Sequence, residues 1–339
     1  MKKHQSFILI FLLFIGFHTS AQTDFTEIDN RVANIGFSPK DNLSENITLD
    51  FKTDLEKVRA IFVWITDNII YDFELYESDK LKEEFYISED NVIDKTLERK
   101  KAICSGYSLL FKKLCNDVNI ECKVVNGYSK QWLDSFVSKN VPDHAWNAVK
   151  INDKWYLIDA TWASKNDFNN ERNDFWFLTN PEYFVYSHFP KNEKWTLLNN
   201  GITKEKFDQL PTITDKSFFE DNIKIIHPTK NTIEVGKNRT FKIILKTNST
   251  YRNVTLRGFP WETYASKNNL KYPSSEEYFK LSPDEMSKYD LIIPSIEIVK
   301  TKIIDDRIIV EARVISENIK EFDIVVAGNS IATIKVNLN

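Results

Sequence analysis

Glycine is scarce in this chain, with eight in 339 residues. No Gly-x-Gly-x-x-Gly or Gly-Lys-[Ser/Thr] loop is present to cradle a phosphate, so nothing in the sequence calls for a nucleotide or another cofactor. Cysteine is rarer still: Cys104, Cys115 and Cys122. There is no Cys-x-x-Cys and no paired-histidine spacing, so no metal site is expected. A strong charge of one sign is also missing. Arg99-Lys100-Lys101 is the nearest thing to a basic cluster, and three charges read as a solvated edge, which argues against nucleic acid as a partner. Long apolar runs are absent too. The run from Phe7 to Phe17 falls short of the ~20 residues that cross a bilayer.

That run has a context of its own. Lys2, Lys3 and His4 precede it and Thr19-Ser20-Ala21 follow it, which is the layout of a cleavable export leader. The expectation is cleavage after Ala21, a mature chain starting at Gln22 and no stable membrane insertion afterwards. If the source is bacterial, the protein is expected in the periplasm or outside the cell. Losing Lys2 and Lys3 leaves 43 basic and 49 acidic residues, a net charge of −6. An odd number of cysteines leaves at least one thiol unpaired within the chain. A Cys115–Cys122 bridge is open to the sequence, although Cys115 continues an apolar helix face, which favours a buried thiol.

With 42% hydrophobic residues, the chain can bury two cores. The sequence reads as a leader (1–21), an α+β domain (22–210) and an all-β sandwich of immunoglobulin-like type (211–339). Residues 22–50 are polar and read as irregular or short-helical. Leu55, Val58, Ile61, Phe62, Ile65 and Ile69 form a helical stripe. After Pro211 come about eight short period-two runs, among them Thr240–Lys246, Ile296–Ile304, Arg307–Ile315 and Ile331–Leu338. Asp305-Asp306 reads as a hairpin turn, and 260–290 as a helical or looped insertion.

Three segments carry chemistry: Ala102-Ile103-Cys104-Ser105-Gly106-Tyr107, Asp143-His144-Ala145-Trp146-Asn147 and Leu157-Ile158-Asp159-Ala160-Thr161-Trp162. A thiol, an imidazole and a carboxylate are the set a cysteine nucleophile needs. Tyr107, Leu110 and Leu114 at helical spacing put Cys104 at a helix N-terminus. There the dipole favours thiolate, and backbone N–H groups face a developing oxyanion. Gly106 is expected to leave room beside the sulfur for a substrate backbone. Residues 145–151 and 155–160 read as a hairpin with a turn at Asn152-Asp153. With a two-residue turn, His144 and Asp159 become diagonal neighbours on one face. Each residue alone has a blander reading, as a core thiol, a core histidine or a capping aspartate. The bland readings do not require all three together. Trp64 and Tyr71 read mainly as core, with Trp64 the candidate second oxyanion donor.

With these motifs stands Val63-Trp64-Ile65-Thr66-Asp67-Asn68-Ile69-Ile70-Tyr71-Asp72, and also His188-Phe189-Pro190 followed by Lys194-Trp195-Thr196-Leu197-Leu198. Together they resemble the transglutaminase-like superfamily, papain-like in fold, and within it the kyphoscoliosis peptidase-like branch and its bacterial secreted members. The resemblance spans roughly residues 50–210. It implies Cys104 as nucleophile, His144 as general base and acid, and Asp159 as the residue that orients His144. It further implies acyl transfer or hydrolysis at a peptide or protein amide, with a protein or peptide as substrate. Some members of the family have lost activity or act as scaffolds, so a catalytically idle envelope binding module is the alternative. Oligomeric state and the choice between water and amine as acceptor are not legible.

Overall fold

The computed structural model describes residues 24–130, 141–165, 171–248, 253–260, 280–290 and 292–339, with scattered positions between 262 and 277. The expected leader lies outside the described residues. The first half runs α1 (Thr26–Val32), α2 (Lys40–Thr48), α3 (Asp54–Asn68), β1 (Ile70–Tyr71), α4 (Phe73–Glu77), α5 (Asp79–Phe85), α6 (Glu89–Arg99), β2 (Lys101–Ala102) and α7 (Cys104–Asp117). It continues through β3 (Cys122–Ser129), β4 (His144–Ile151), β5 (Lys154–Ile158), α8 (Ala160–Ala163), α9 (Pro181–Phe184), β6 (His188–Pro190) and α10 (Lys204–Gln209).

Helix α3 begins at a capping box. Thr53 Oγ accepts from the Glu56 N–H at 3.2 Å, and the Glu56 carboxylate accepts from the Thr53 N–H at 2.8 Å. The expected stripe then buries Val58, Ile61, Phe62 and Ile65 against Leu110, Phe111 and Leu114 of α7. Each such side chain contributes about 1.5–3 kcal/mol, against about 1 kcal/mol for a cap. Helix α3 is therefore held by its face rather than its end. Arg59, buried on the same helix, donates to Asp29 at 2.8 and 2.6 Å and to Asp174 at 2.8 Å. This ties the segment carrying Trp176 to the helical layer.

The first sheet is antiparallel, in the order β5-β4-β3-β6. Helix α7 packs against β3 and β4. Asn147, buried in β4, donates to the Ser108 carbonyl of α7 at 2.9 Å and fixes strand to helix one turn past Cys104.

The second half is β-rich, as expected. It contains β7 (Thr212–Ile213), α11 (Ser217–Glu220), β8 (Lys224–His227), β9 (Thr232–Val235), β10 (Thr240–Lys246) and β11 (Val254–Phe259). It goes on through β12 (Glu262–Thr263), β13 (Ile292–Ile293), β14 (Ile296–Ile304), β15 (Arg307–Val314), β16 (Glu321–Val326) and β17 (Asn329–Leu338). One sheet has the order β14-β15-β10-β8 and the other β11-β16-β17-β7, with β9 added parallel to β17. Alternate residues of β10 and β15 point into one core, where Phe241 meets Phe322 at 5.3 Å between ring centroids. Part of the expected insertion forms the helix Pro283–Asp290. Phe219 of α11 stacks on Tyr183 at 4.3 Å and on Phe175 at 5.6 Å, so the second half rests on the segment behind the candidate site.

Gly127 in β3 is required by close approach. A Cβ there would lie 2.2 Å from the Phe189 carbonyl and 2.4 Å from the Trp146 ring. Its missing side chain lets β6 pair with β3 and brings His188 to the sheet edge. Gly127→Ala is expected to lower stability by about 1–3 kcal/mol through overpacking, measured by urea denaturation.

Candidate active site

Cys104 is the first residue of α7, as the spacing predicts, and is partly exposed. The cap position is Ile103, which supplies no side-chain acceptor. The Gly106 and Tyr107 N–H groups donate to the Ile103 carbonyl at 2.8 and 3.2 Å, and the Cys104 and Ser105 N–H groups open the helix ahead of them.

The hairpin has the predicted register. Asn152 and Asp153 take positive φ of 48° and 63°, the type I′ pair that matches strand twist. Ile151 pairs with Lys154, and the ladder runs to Asn147 opposite Ile158. There it ends, two residues earlier than the pattern suggests, because Asp159 turns the chain into α8. Asp159 Oδ1 accepts the N–H groups of Thr161 at 2.9 Å and Trp162 at 3.0 Å. Its Oδ2 accepts from His144 Nε2 at 2.7 Å and from His188 Nε2 at 2.9 Å. Capping and orienting, weighed above as alternatives, are thus done by the two oxygens of one side chain.

With Nε2 of His144 engaged by Asp159, Nδ1 is the nitrogen left for sulfur. Cys104 is, after Asp159, the second group that favours the charged ring. Burial opposes a charge on His144, but Asp159 and Cys104 together outweigh it and lift the imidazole to about 10. His188 goes the other way. Burial dominates there, and the same carboxylate recovers only part of the loss, leaving the ring at about 4. Burial would also raise the Asp159 carboxyl, yet the charge and hydrogen bond of His144, followed by those of His188, hold it well below the ordinary carboxylate range. One ionised carboxylate therefore serves a charged imidazole and a neutral one.

His144, Asp159 and His188 also form a possible metal-ligand set, with donor atoms within 4.8 Å of one another. Ligands about 2.0–2.2 Å from one tetrahedral zinc would lie about 3.3–3.6 Å from each other. The 2.7 and 2.9 Å separations onto one oxygen are instead hydrogen-bond lengths, and protons account for them fully.

Two expectations need revision. Trp64 is fully buried and donates its indole N–H to the Ile35 carbonyl at 3.0 Å, so that donor is spent inside the core. Gly106 does not open space for substrate. A Cβ there would meet Ala102 and Thr96 at 2.7 Å, so the glycine instead lets α7 pack tightly on α6 and β2. All three cysteines are free, with Cys115 and Cys122 buried. Burial, then contact with Cys122, pushes the Cys115 thiol up.

Sequence reasoning placed His188 in a family-like stretch without giving it a role. The available signal was a second histidine before Phe-Pro, 29 residues beyond Asp159. The Tyr86 hydroxyl, 2.6 Å from Ser105 Oγ, was also missed. It stands beside Cys104, with the exposed rings of Phe73 and Tyr76 grouped around Tyr71 nearby.

Residues 41–160 match the Transglutaminase-like superfamily. Within the α+β half of the chain, the similarity to that superfamily therefore holds for residues 41–160. Human kyphoscoliosis peptidase is 34% identical over 204 residues, 57% of this chain and 29% of that protein. Hillarin from Drosophila melanogaster is 30% identical over 193 residues, 49% of this chain and 22% of that protein. The chain thus spans less than a third of the length of these relatives. A crystal structure of a TGase covers 44% of this chain and 35% of its own at 21% identity, with a TM-score of 0.30. The family match ends one residue after Asp159, and so leaves out His188.

The pKa pattern sets a stability test. A histidine raised in the folded state stabilises below its unfolded value of about 6.5 and loses that contribution as pH rises through the folded value. The stability advantage of the natural protein over His144→Gln should therefore be greatest at acidic pH. It should shrink steadily toward pH 10 in paired urea titrations.

Proposed function

We propose that this protein is a thiol enzyme performing acyl transfer or hydrolysis at a peptide or protein amide. Cys104 is the nucleophile, His144 the proton carrier and Asp159 its anchor. The observation that carries this reading is His144 itself: one ring nitrogen is fixed to a buried carboxylate at 2.7 Å and the other is left for a partly exposed thiol at a helix N-terminus.

The geometry suits a two-stage reaction. The sulfur attacks the amide carbon, and the carbonyl oxygen takes up the negative charge beside the N–H groups that open α7. The C–N bond breaks as the leaving amine takes the proton from His144 Nδ1, and a thioester on Cys104 remains. Water or an amine then attacks, gives its proton to Nδ1 and expels the thiolate. Nε2 stays on Asp159 throughout, so the imidazole keeps its orientation in both stages.

The leader-like run Phe7–Phe17, with Lys2 and Lys3 before it and Ala21 after it, supports export and a mature chain beginning at Gln22. The second half supplies no chemical motif, and its proposed part is to brace the site through Phe219.

The first test needs no substrate. Iodoacetamide should alkylate Cys104 near neutral pH in preference to the buried Cys115 and Cys122. His144→Ala should slow that labelling about tenfold or more, because the imidazolium opposite the sulfur is gone. Cys104→Ala should lose any amide hydrolysis or amine incorporation while melting near the natural protein. Full biological function in Cys104→Ala would favour the idle binding module. The protein recovered from its native source should begin at Gln22.

A further inference from the structure

His188 is a second buried histidine on the carboxylate that anchors the first, and its contacts are unusually complete. Its Nε2 lies 2.9 Å from Asp159 Oδ2, and its Nδ1 lies 2.8 Å from Ser187 Oγ. The ring is 1% exposed. It stacks on Phe184 with centroids 4.0 Å apart and is walled by Trp162 at 4.4 Å, Trp146 at 5.0 Å and Trp176 at 5.2 Å.

The tautomer follows from the partners. An ionised carboxylate only accepts, so Nε2 of His188 carries the hydrogen. Ser187 then donates its O–H to Nδ1, a shorter contact than its 3.3 Å alternative to the Phe184 carbonyl. Both nitrogens of a neutral ring are used, and the aromatic walls block rotation. His188 has no nitrogen left for sulfur, so it cannot exchange roles with His144.

We propose that His188 is a positioning residue for the thiol chemistry: its fixed, neutral N–H holds Asp159 Oδ2 at the place from which that oxygen grips His144. This rests on the reading of Cys104 and His144 given above. Asp159 has two N–H groups on Oδ1 and would be free to turn about that end, moving Oδ2 away from His144. The His188 N–H closes the remaining direction. A lysine or arginine in the same place would hold Oδ2 equally well, but its positive charge would compete with the imidazolium for the same carboxylate. A neutral donor orients without that competition. Gly127 and the β3–β6 pairing deliver His188 to this position, with Gly127 opposite Pro190 and Ser129 opposite His188.

The experiment is Cys104 alkylation by iodoacetamide across pH, read by peptide mass spectrometry on the full chain. His188→Phe keeps an aromatic ring in the cage but removes the donor. His188→Gln keeps an N–H at the reach of Nε2, and His188→Asn is too short to reach. The Phe variant should label about tenfold more slowly near neutral pH, with its pH profile displaced toward that of His144→Ala. The Gln variant should recover most of the natural rate. A folded Phe variant with the natural rate and profile would overturn the proposal. Should the Phe variant not fold, Gln and Asn decide: Gln fast and Asn slow supports it, and equal rates overturn it. Failure of the underlying reading looks different, because His144→Ala would then label like the natural protein.

Discussion

The carboxylate of Asp159 has no solvent exposure and stays ionised. An unpartnered charge in that position would be untenable, so the surroundings must supply donors in every direction. Two backbone N–H groups take one oxygen and two imidazoles take the other, which exhausts the acceptor capacity of the group. Removing one member of such a buried set costs about 3–5 kcal/mol, because the remaining charge is left uncompensated. The same side chain starts α8, ends the β4–β5 ladder and anchors the proposed proton carrier. Local fold and chemistry therefore cannot be separated at this residue.

Much of the surrounding structure keeps the donors in place. Asn147 joins β4 to α7, which ties the strand that carries His144 to the helix that carries Cys104. Arg59 reaches from the helical layer to Asp174, two residues before Trp176, and the Trp176 carbonyl accepts the Asp159 N–H at 3.1 Å. Phe219 in the second half presses on Phe175 from behind. Each contact lies outside the reacting atoms, and each restrains a neighbour of the carboxylate.

The parts of this arrangement that depend on local spacing were legible in the sequence. The α7 start at Cys104, the two-residue turn at Asn152-Asp153 and the period-two strands of the second half follow from periodicity and turn chemistry over short windows. The register of one hairpin was enough to bring His144 and Asp159 together. What was not legible depends on contacts distant in sequence. Trp64 looked available as a donor because its acceptor, the Ile35 carbonyl, lies 29 residues upstream. Gly106 looked like an opening because the fold of α6 and β2 onto the start of α7, which sets Thr96 and Ala102 against it, has no periodic signature. His188 reaches Asp159 through a strand pairing that Gly127 permits, and no local pattern announces a close approach of that kind.

The account turns on one carboxylate holding two histidines in different protonation states. Nitrogen-15 and carbon-13 NMR of histidine-labelled protein at neutral pH reads this directly, since the imidazole nitrogens report both tautomer and charge. His144 should show both nitrogens protonated, while His188 should be neutral with its hydrogen on Nε2 and an acceptor Nδ1. A neutral His144, or a positive charge found on His188 instead, would contradict it.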